Sequence, residues 1–471
     1  MEDYQDEKLL SSESALEGND NMNWGKMHLQ NLVSVLSSKE IDPVEVTAIT
    51  MSLVFGSFVI VLPYTVNLVG LPIWIITFIV VLLLVSYSNH LMNESCLKML
   101  DACKNEKLIR APYVKVALLA GGNLFKNVVV GTLYMNFAFS VISQMLMSST
   151  VLSEILSISG ISKINNVRFW VVISSVSIFP FVQLGFYKDL KQSAFIALAM
   201  SYLSLLFILG ASAYLLLTDQ MLATPDNKYV KKQYDNFFRT FGTVFFSLAG
   251  IALVSPEITV FAREPKKMDR SILATYGMIA FINLGYCIIM HEIFQGNMKS
   301  TTTDTLLQAF LLTDATLLKG CLVAVQIGVS LHFLLAAVLF LNPLLTNVEA
   351  RLDIPVEFTW KRLVLRTFGL LATTIVCLIV PNFQSILSLC GGTLLVLSTV
   401  IYPNIIYSRL HESKSPPPNF SVDRIIRVET EHKNFVTRYK ALLKLEKGTG
   451  KDSSTQQMFE LNEVPLKSNL V

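Results

Sequence analysis

From Val46 to Met92 the chain carries no Asp, Glu, Lys or Arg, and His90 is its only histidine there. Spans need ~20 apolar residues each, so this stretch holds two of them. Charge is scarce throughout. Only 15% of residues are charged, against 52% hydrophobic, where a soluble domain carries about 25% charge. With a mean hydropathy of +0.52, an ordinary soluble globule is excluded. Sequence signatures of enzymes are missing as well: there is no GxGxxG, GxxxxGK[ST], HExxH, CxxC or GxSxG, so neither an enzyme nor a bound cofactor is expected. The net charge of +3 is small, and no basic stripe interleaves with aromatics, which argues against nucleic acid as a partner. The chain is polar and acidic up to Asn23, which predicts a first span that directs its own insertion rather than a cleavable signal peptide. The six cysteines, at 96, 103, 287, 321, 377 and 390, form no close pair. No metal site is expected of them, and they read as small buried hydrophobes rather than disulfides.

Apolar runs of spanning length predict an all-α integral membrane protein of about ten spans. They lie near 48–69, 72–93, 126–153, 168–187, 193–217, 238–260, 271–292, 317–346, 363–381 and 383–407. Only Pro381-Asn382 separates the last two, which predicts a tight hairpin. The expected organisation is a polar tail over 1–45, a transmembrane domain over 46–407 and a second tail over 408–471, with Pro416-Pro417-Pro418 marking an extended linker. Lys and Arg concentrate in one alternate set of loops, including Lys98 to Lys126, Lys188 and Lys191, Arg263 to Arg270, and Arg351 to Arg366. By the positive-inside rule that set, and with it both termini, is cytosolic. The sequons at Asn93 and Asn419 then face the cytosol and escape glycosylation.

Two spans share a phrase. One reads Phe55-Gly56-Ser57-Phe58 with Pro63 beyond; the other reads Ser247-Leu248-Ala249-Gly250 with Pro256 beyond. Each has a glycine and then a proline about two helical turns later. Both residues weaken helices, and in lipid a broken helix is tolerated where its freed groups line a cavity. Paired interrupted spans in corresponding halves point to a transporter's binding site. Counting from either gives five helices per half. An odd number inverts the second half, as in a LeuT-like 5+5 inverted-repeat bundle whose first and sixth helices are broken. Free amides near Gly56 and Gly250 suit a carboxylate, and free carbonyls suit an ammonium or a coupling cation. The alternative is that the glycines serve close packing and the prolines only kink. Ser57 and Ser247 flank the breaks, placed either to bond a substrate or to bond back to their own helices. Phe58, with Phe245 and Phe246, either shapes a pocket or packs.

Ionisable residues inside a membrane are functional candidates. His332, in Val329-Ser330-Leu331-His332-Phe333, is placed to carry a proton or to sit neutral in the core. Glu257, directly after Pro256, is a gate or coupling carboxylate or an interfacial group. His90, Glu94, Glu154, His291, Glu292 and Glu349 lie near span ends and read as interfacial.

Several phrases together resemble the amino acid/auxin permease family, nearest its branch of proton-coupled and vesicular amino acid transporters. They are Gly56-Ser57 with Leu62-Pro63-Tyr64 and Gly70; Pro112-Tyr113 with Val116-Ala117; Phe241 to Gly250 with Pro256 and Glu257; and Arg366, Val380-Pro381, Ser388 to Gly392 and Tyr402-Pro403. The resemblance covers Val46 to Tyr407. It implies a LeuT-like fold and symport of a small amino acid with H⁺ or Na⁺ by alternating access, with substrate held by Gly56, Ser57, Phe58, Ser247, Ala249 and Gly250. His332 and Glu257 are the coupling or gating candidates. Three departures stand out. Phe58 replaces a second glycine common in the family, Ile49 stands where the proton-coupled branch has a histidine, and Glu257 follows Pro256 directly. The first two feed a rival expectation of a transport-poor amino acid sensor or scaffold with the same fold. The expected location is the plasma membrane or an endosomal or lysosomal membrane. Asp6-Glu7-Lys8-Leu9-Leu10 and Tyr439-Lys440-Ala441-Leu442 are candidate contacts for sorting adaptors.

Overall fold

The computed structural model describes residues 41–103, 111–158, 166–183, 187–218, 234–294, 298–311, 316–352, 354–355, 359–380 and 383–411. Residues 1–40 and 412–471 of the two expected tails, the Pro381-Asn382 turn, the Asn419 sequon, the triple-proline linker and the two sorting phrases fall outside them, while α1 and α12 take up 43–45 and 408–411. The helices are α1 Pro43–Val69, α2 Leu71–Ala102, α3 Pro112–Ile158, α4 Val167–Val182, α5 Tyr187–Leu217, α6 Tyr234–Phe261, α7 Pro265–Phe294, α8 Thr302–Leu311, α9 Thr316–Arg351, α10 Trp360–Ile379, α11 Phe383–Cys390 and α12 Tyr402–His411. Two π-helical turns, Gly391–Leu395 and Leu397–Ile401, join α11 to α12 in one last crossing. Among the described residues nine helices are long and apolar enough to span a membrane, and the shorter α4 is the tenth apolar helix. Each expected span has its helix. The short α8 between α7 and α9 was not expected, because its Thr-rich start lacks a spanning apolar run.

Helix boundaries follow local chemistry. Pro43 opens α1, where its missing N–H costs nothing, and the Asp42 amide donates to Glu45 Oε2 at 3.1 Å. Gly70, at φ 84°, turns α1 directly into α2, a conformation that costs other residues a clash. Gly122, at φ 70° and ψ −165°, bends α3 near its start.

The helices pack in two sets. Helices α1, α2, α6 and α7 contact one another, as do α3, α4, α9 and α10; α5 bridges α1 to α9, and the last crossing packs on α2, α3 and α6. The most apolar stretch of α1 is 94% buried and that of α6 is 83% buried, against 67% for α9 and 33–44% for the other spans. The two helices that carry the glycine–proline phrase are therefore the centre of the protein. The outer helices instead present large apolar side chains outward, among them Leu83, Leu206, Phe281 and Phe368. These face the lipid of a multi-pass membrane protein.

Where α6 meets the last crossing, backbone touches backbone. A Cβ at Gly242 would stand 2.1 Å from the Ser388 carbonyl, and one at Gly391 would stand 1.8 Å from the Gly242 carbonyl. Small residues permit such close approach between membrane helices. Beside this crossing, Asn136 Nδ2 donates to the Leu394 carbonyl at 3.0 Å and to Ser398 Oγ at 2.7 Å, and the Tyr113 hydroxyl donates to the Ser398 carbonyl. These bonds serve a stretch where π turns have displaced the regular ladder.

A buried ion cluster ties the second set. Glu349 Oε1 accepts from Arg366 Nε at 2.6 Å and Arg362 Nε at 3.2 Å, with side chains 5% exposed or less. Arg366 also donates to the Val182 carbonyl at 2.7 Å and to Asn342 Oδ1 at 3.2 Å. Glu349 is thus not interfacial, as its place near a span end suggested. Asn93, within its sequon, is also buried, and its Oδ1 accepts from Thr259 at 3.1 Å.

Candidate substrate site

α1 and α6 are not interrupted in this structure: each stays helical through its glycine and its proline. In α1 the groups that a break at Pro63 would free are answered from neighbouring helices. Pro63 has no N–H, so the carbonyl four residues back, at Val59, loses its helical partner. The Tyr286 hydroxyl of α7 donates to it at 2.9 Å, and Thr302 Oγ1 of α8 donates to the adjacent Ile60 carbonyl at 3.1 Å. Neighbouring side chains commonly make proline tolerable in membrane helices this way.

At Gly56 the backbone amide donates sideways, to His332 Nε2 at 3.1 Å. A Cβ at position 56 would lie 2.1 Å from His332 Cδ2 and 2.2 Å from its Nε2. Glycine is thus required here by space. An Nε2 that accepts leaves Nδ1 as the protonated nitrogen of a neutral ring. That Nδ1 lies 2.9 Å from the Ala197 carbonyl and 2.8 Å from Ser201 Oγ, both on α5. One imidazole therefore pins α9 to α1 and to α5. Next to it, Phe55 and Tyr202 rings lie 4.6 Å apart, and Tyr202 donates to Met51 Sδ at 3.8 Å.

Gly250 has apolar company. A Cβ there would meet Val54 Cγ1 at 3.2 Å and Phe340 Cζ at 3.3 Å, with the Leu53 carbonyl at 3.9 Å. The two glycines are brought into one layer, since Gly250 packs within a turn of Gly56 and α9 touches both. Ser57, Phe58 and Ala249 are buried in the same helices. Ser247 Oγ donates to the Thr243 carbonyl at 2.9 Å, the back-bonded alternative for that hydroxyl. Phe245 and Phe246 are buried, and Phe245 lies 5.7 Å from the Phe241 ring. Glu257 lies apart from this layer, at the α2 side of α6 near Cys96. There Ser255 Oγ donates to Asn89 Oδ1 at 2.5 Å.

Sequence reasoning missed Tyr286, Ser201 and the polar lid over α1. In that lid Glu154 accepts from Thr301 and Thr303 Oγ1, each at 2.7 Å, and from Gln326 Nε2 at 3.4 Å. Glu154 is thus engaged with α8 and α9 rather than merely interfacial. Outside the spans, burial raises Asp304 above the usual carboxylate range, opposed by the Gln308 hydrogen bond and the Lys299 charge. The run Thr301-Thr302-Thr303 was the available signal, but only the fold shows that its hydroxyls face two different helices.

The arrangement can present one amide of α1 to a ligand if His332 withdraws. Two proteins of Arabidopsis thaliana are similar to this chain. Amino acid transporter AVT3C is 25% identical over 49% of this chain and 49% of its own length. Amino acid transporter AVT3A is 23% identical over 40% of this chain and 41% of its own. The matched stretch therefore spans about half the length of these relatives or less. A family profile described as transmembrane amino acid transporter protein matches residues 39–424, most of the chain. The chain belongs to that family of transmembrane amino acid transporter proteins.

Proposed function

We propose that the protein is a secondary active transporter of small amino acids, driven by H⁺ or Na⁺ symport and working by alternating access. The observation that carries this reading is the central burial of α1 and α6, the two helices weakened by glycine and proline. A stable scaffold gains nothing from placing such helices at its core; a site that must rearrange does. The separate packing of α1, α2, α6 and α7 from α3, α4, α9 and α10 supports a LeuT-like bundle in which one set rocks against the other. In this reading the structure is a closed state. The α1 and α6 segments unwind at Gly56 and Gly250 when substrate enters, and Ser57, Phe58, Ser247 and Ala249 line the opened pocket. His332 and Glu257 are the coupling and gating groups. No cofactor takes part. Both termini lie in the cytosol, the membrane is the plasma membrane or an endosomal or lysosomal one, and the tails recruit sorting adaptors.

The test is uptake of a panel of radiolabelled amino acids into proteoliposomes, with pH and Na⁺ gradients imposed separately. Gradient-dependent uptake by wild type, lost in Gly250→Leu that still reaches the membrane, is expected. Normal uptake by Gly250→Leu removes the site assignment. Absence of flux for every amino acid under either gradient removes the transporter reading in favour of a sensor or scaffold.

A further inference from the structure

We propose that His332 is a proton-released stopper of the Gly56 amide: the neutral ring caps that amide and holds the site shut, and protonation makes it let go. The inference rests on the transporter reading above for what then binds. The argument is one of donors and acceptors. Gly56 N–H lies within an unbroken helix, where its ladder acceptor is the carbonyl four residues back, and it also donates to the His332 Nε2 lone pair at 3.1 Å. An imidazolium has two N–H donors and no lone pair. Protonating Nε2 therefore sets two donors against each other at hydrogen-bond distance, and α1 and the ring must separate. Nδ1–H keeps its acceptors on α5, the Ala197 carbonyl and Ser201 Oγ. The ring therefore remains on the α5 side while α1 is released. What is left is an amide that the ring no longer covers, in a helix that can loosen at Gly56, facing a cation; an amide and a cation together are the groups that bind a carboxylate. The proton enters from water onto Nε2 and leaves when the ring returns to Gly56, so loading of proton and of carboxylate are linked. Gly56 is indispensable to the device, since any side chain there occupies the ring's own position.

Few other ionisable groups face this ring among the described residues. On α5 there is Tyr202, beside Ser201. On α1 there are Glu45 and Tyr64, eleven and eight residues from Gly56. On α3 there is Glu154, held by Gln326, which lies six residues before His332 on α9. On α9 itself there are Lys319, Cys321, Glu349 and Arg351, and Glu349 is paired with Arg362 and Arg366. On α6, Glu257 lies seven residues beyond Gly250. At about 1.5 Å per residue, all but Tyr202 are roughly 9 Å or more away along their helices.

The experiment uses the full chain in proteoliposomes with a reporter thiol, Ser57→Cys, and a water-soluble maleimide. Alkylation is corrected for the same chain with Ser57 intact. The comparison is between the chain that keeps His332 and the His332→Gln variant, whose amide oxygen can still accept from Gly56 but takes no proton. As pH falls from 8 to 5, the alkylation rate with His332 present, divided by the rate in the His332→Gln background, is expected to rise, by up to about tenfold per pH unit for one linked proton. A flat ratio overturns the proposal. Should His332→Gln not fold, the Ser57→Cys rate is divided by that of the detergent-unfolded chain at each pH, with the same rise expected and the same flat outcome fatal. With Ser57 intact, KM for a mixture of radiolabelled L-amino acids is expected to fall with pH in wild type and to be independent of pH in His332→Gln. A packing role for the ring would not move that profile. Wild type without uptake but with a rising alkylation ratio removes the transport reading and leaves the stopper; uptake with a flat ratio does the reverse.

Discussion

Gly56–Pro63 of α1 and Gly250–Pro256 of α6 carry the same phrase, yet their surroundings differ in kind. At Gly56 the neighbour is a histidine that takes the amide, and at Pro63 two hydroxyls take the carbonyls of Val59 and Ile60. At Gly250 the neighbours are Val54 and Phe340. Among the described residues no side chain donates to the Ala252 carbonyl, the partner that Pro256 deprives. The contrast separates two jobs that the sequence phrase runs together. The α1 segment is held by polar bonds that can be exchanged one for one with a ligand. Around Gly250 the α6 segment is held by packing, which can only be lost or kept, and its bond from Ser255 to Asn89 lies at the far end beside Pro256. Polar exchange can be specific and reversible at small cost, so the α1 segment is the better candidate for recognising substrate and the α6 segment for moving with it.

Substituting the glycines should show this asymmetry most strongly. Gly56→Ala drives a methyl to 2.1 Å from the His332 ring. Overpacking of this sort costs about 1–3 kcal/mol, and more where a polar bond goes with it. Gly250→Ala meets its neighbours at 3.2 and 3.3 Å, a distance at which flexible side chains yield. The expected outcome is a fall in thermal midpoint of the purified protein for Gly56→Ala several times that for Gly250→Ala. Equal falls would mean that the two segments are equivalent after all.

The prolines give the next largest effect. Tyr286→Phe leaves the buried Val59 carbonyl without its donor, a loss of about 1–3 kcal/mol. Pro63→Ala restores an N–H one turn along, which makes the hydroxyl redundant. In a double-mutant cycle the Tyr286→Phe penalty should therefore shrink in the Pro63→Ala background, and additive effects would show that the hydroxyl serves another purpose. Pro256→Ala combined with the same change in α7 should be additive.

The spans were legible because lipid demands long uncharged runs: among the described residues nine of the ten expected have helices of spanning length, and the fourth is the shorter α4. The special standing of α1 and α6 was legible too, from glycine and proline at matched places. Their continuity was not. In α1 the carbonyl freed by Pro63 is answered by Tyr286, 227 positions away along the chain from Val59, and α6 stays helical through Pro256 with no such donor among the described residues. The role of Glu349 was hidden for the same reason, since a carboxylate near a span end reads as interfacial until Arg362 and Arg366 are seen folded over it. His332 was visible as an ionisable group in a span, but its partners Gly56, Ala197 and Ser201 come from two other helices.

A smaller difference lies in how α6 is anchored near Pro256. Ser255 and Thr259 donate to Asn89 and Asn93 of α2. Hydrogen bonds between membrane helices average about 0.6 kcal/mol. Ser255→Ala should therefore lower the unfolding free energy in mixed micelles by about that amount, well below the Tyr286→Phe effect. A loss as large as that of Tyr286→Phe would make the α6 segment as dependent on polar bonds as α1.

The smallest effect is expected where the two segments are joined. Ahead of α1, the Ile41 amide donates to the Phe261 carbonyl at 2.8 Å and its carbonyl accepts from the Arg263 amide at 3.1 Å. Over this backbone bridge Arg263 and Asp42 form an ion pair at 3.6 Å, with side chains 64% and 54% exposed. Exposed pairs are worth about 0–1 kcal/mol and are weakened by salt. Asparagine caps a helix about as well as aspartate, so Asp42→Asn removes the charge alone. Its thermal midpoint and its salt dependence should match wild type within error, because the main chain makes the tie. A clear loss at low salt that vanishes at high salt would show instead that α1 and α6 are latched electrostatically at this end.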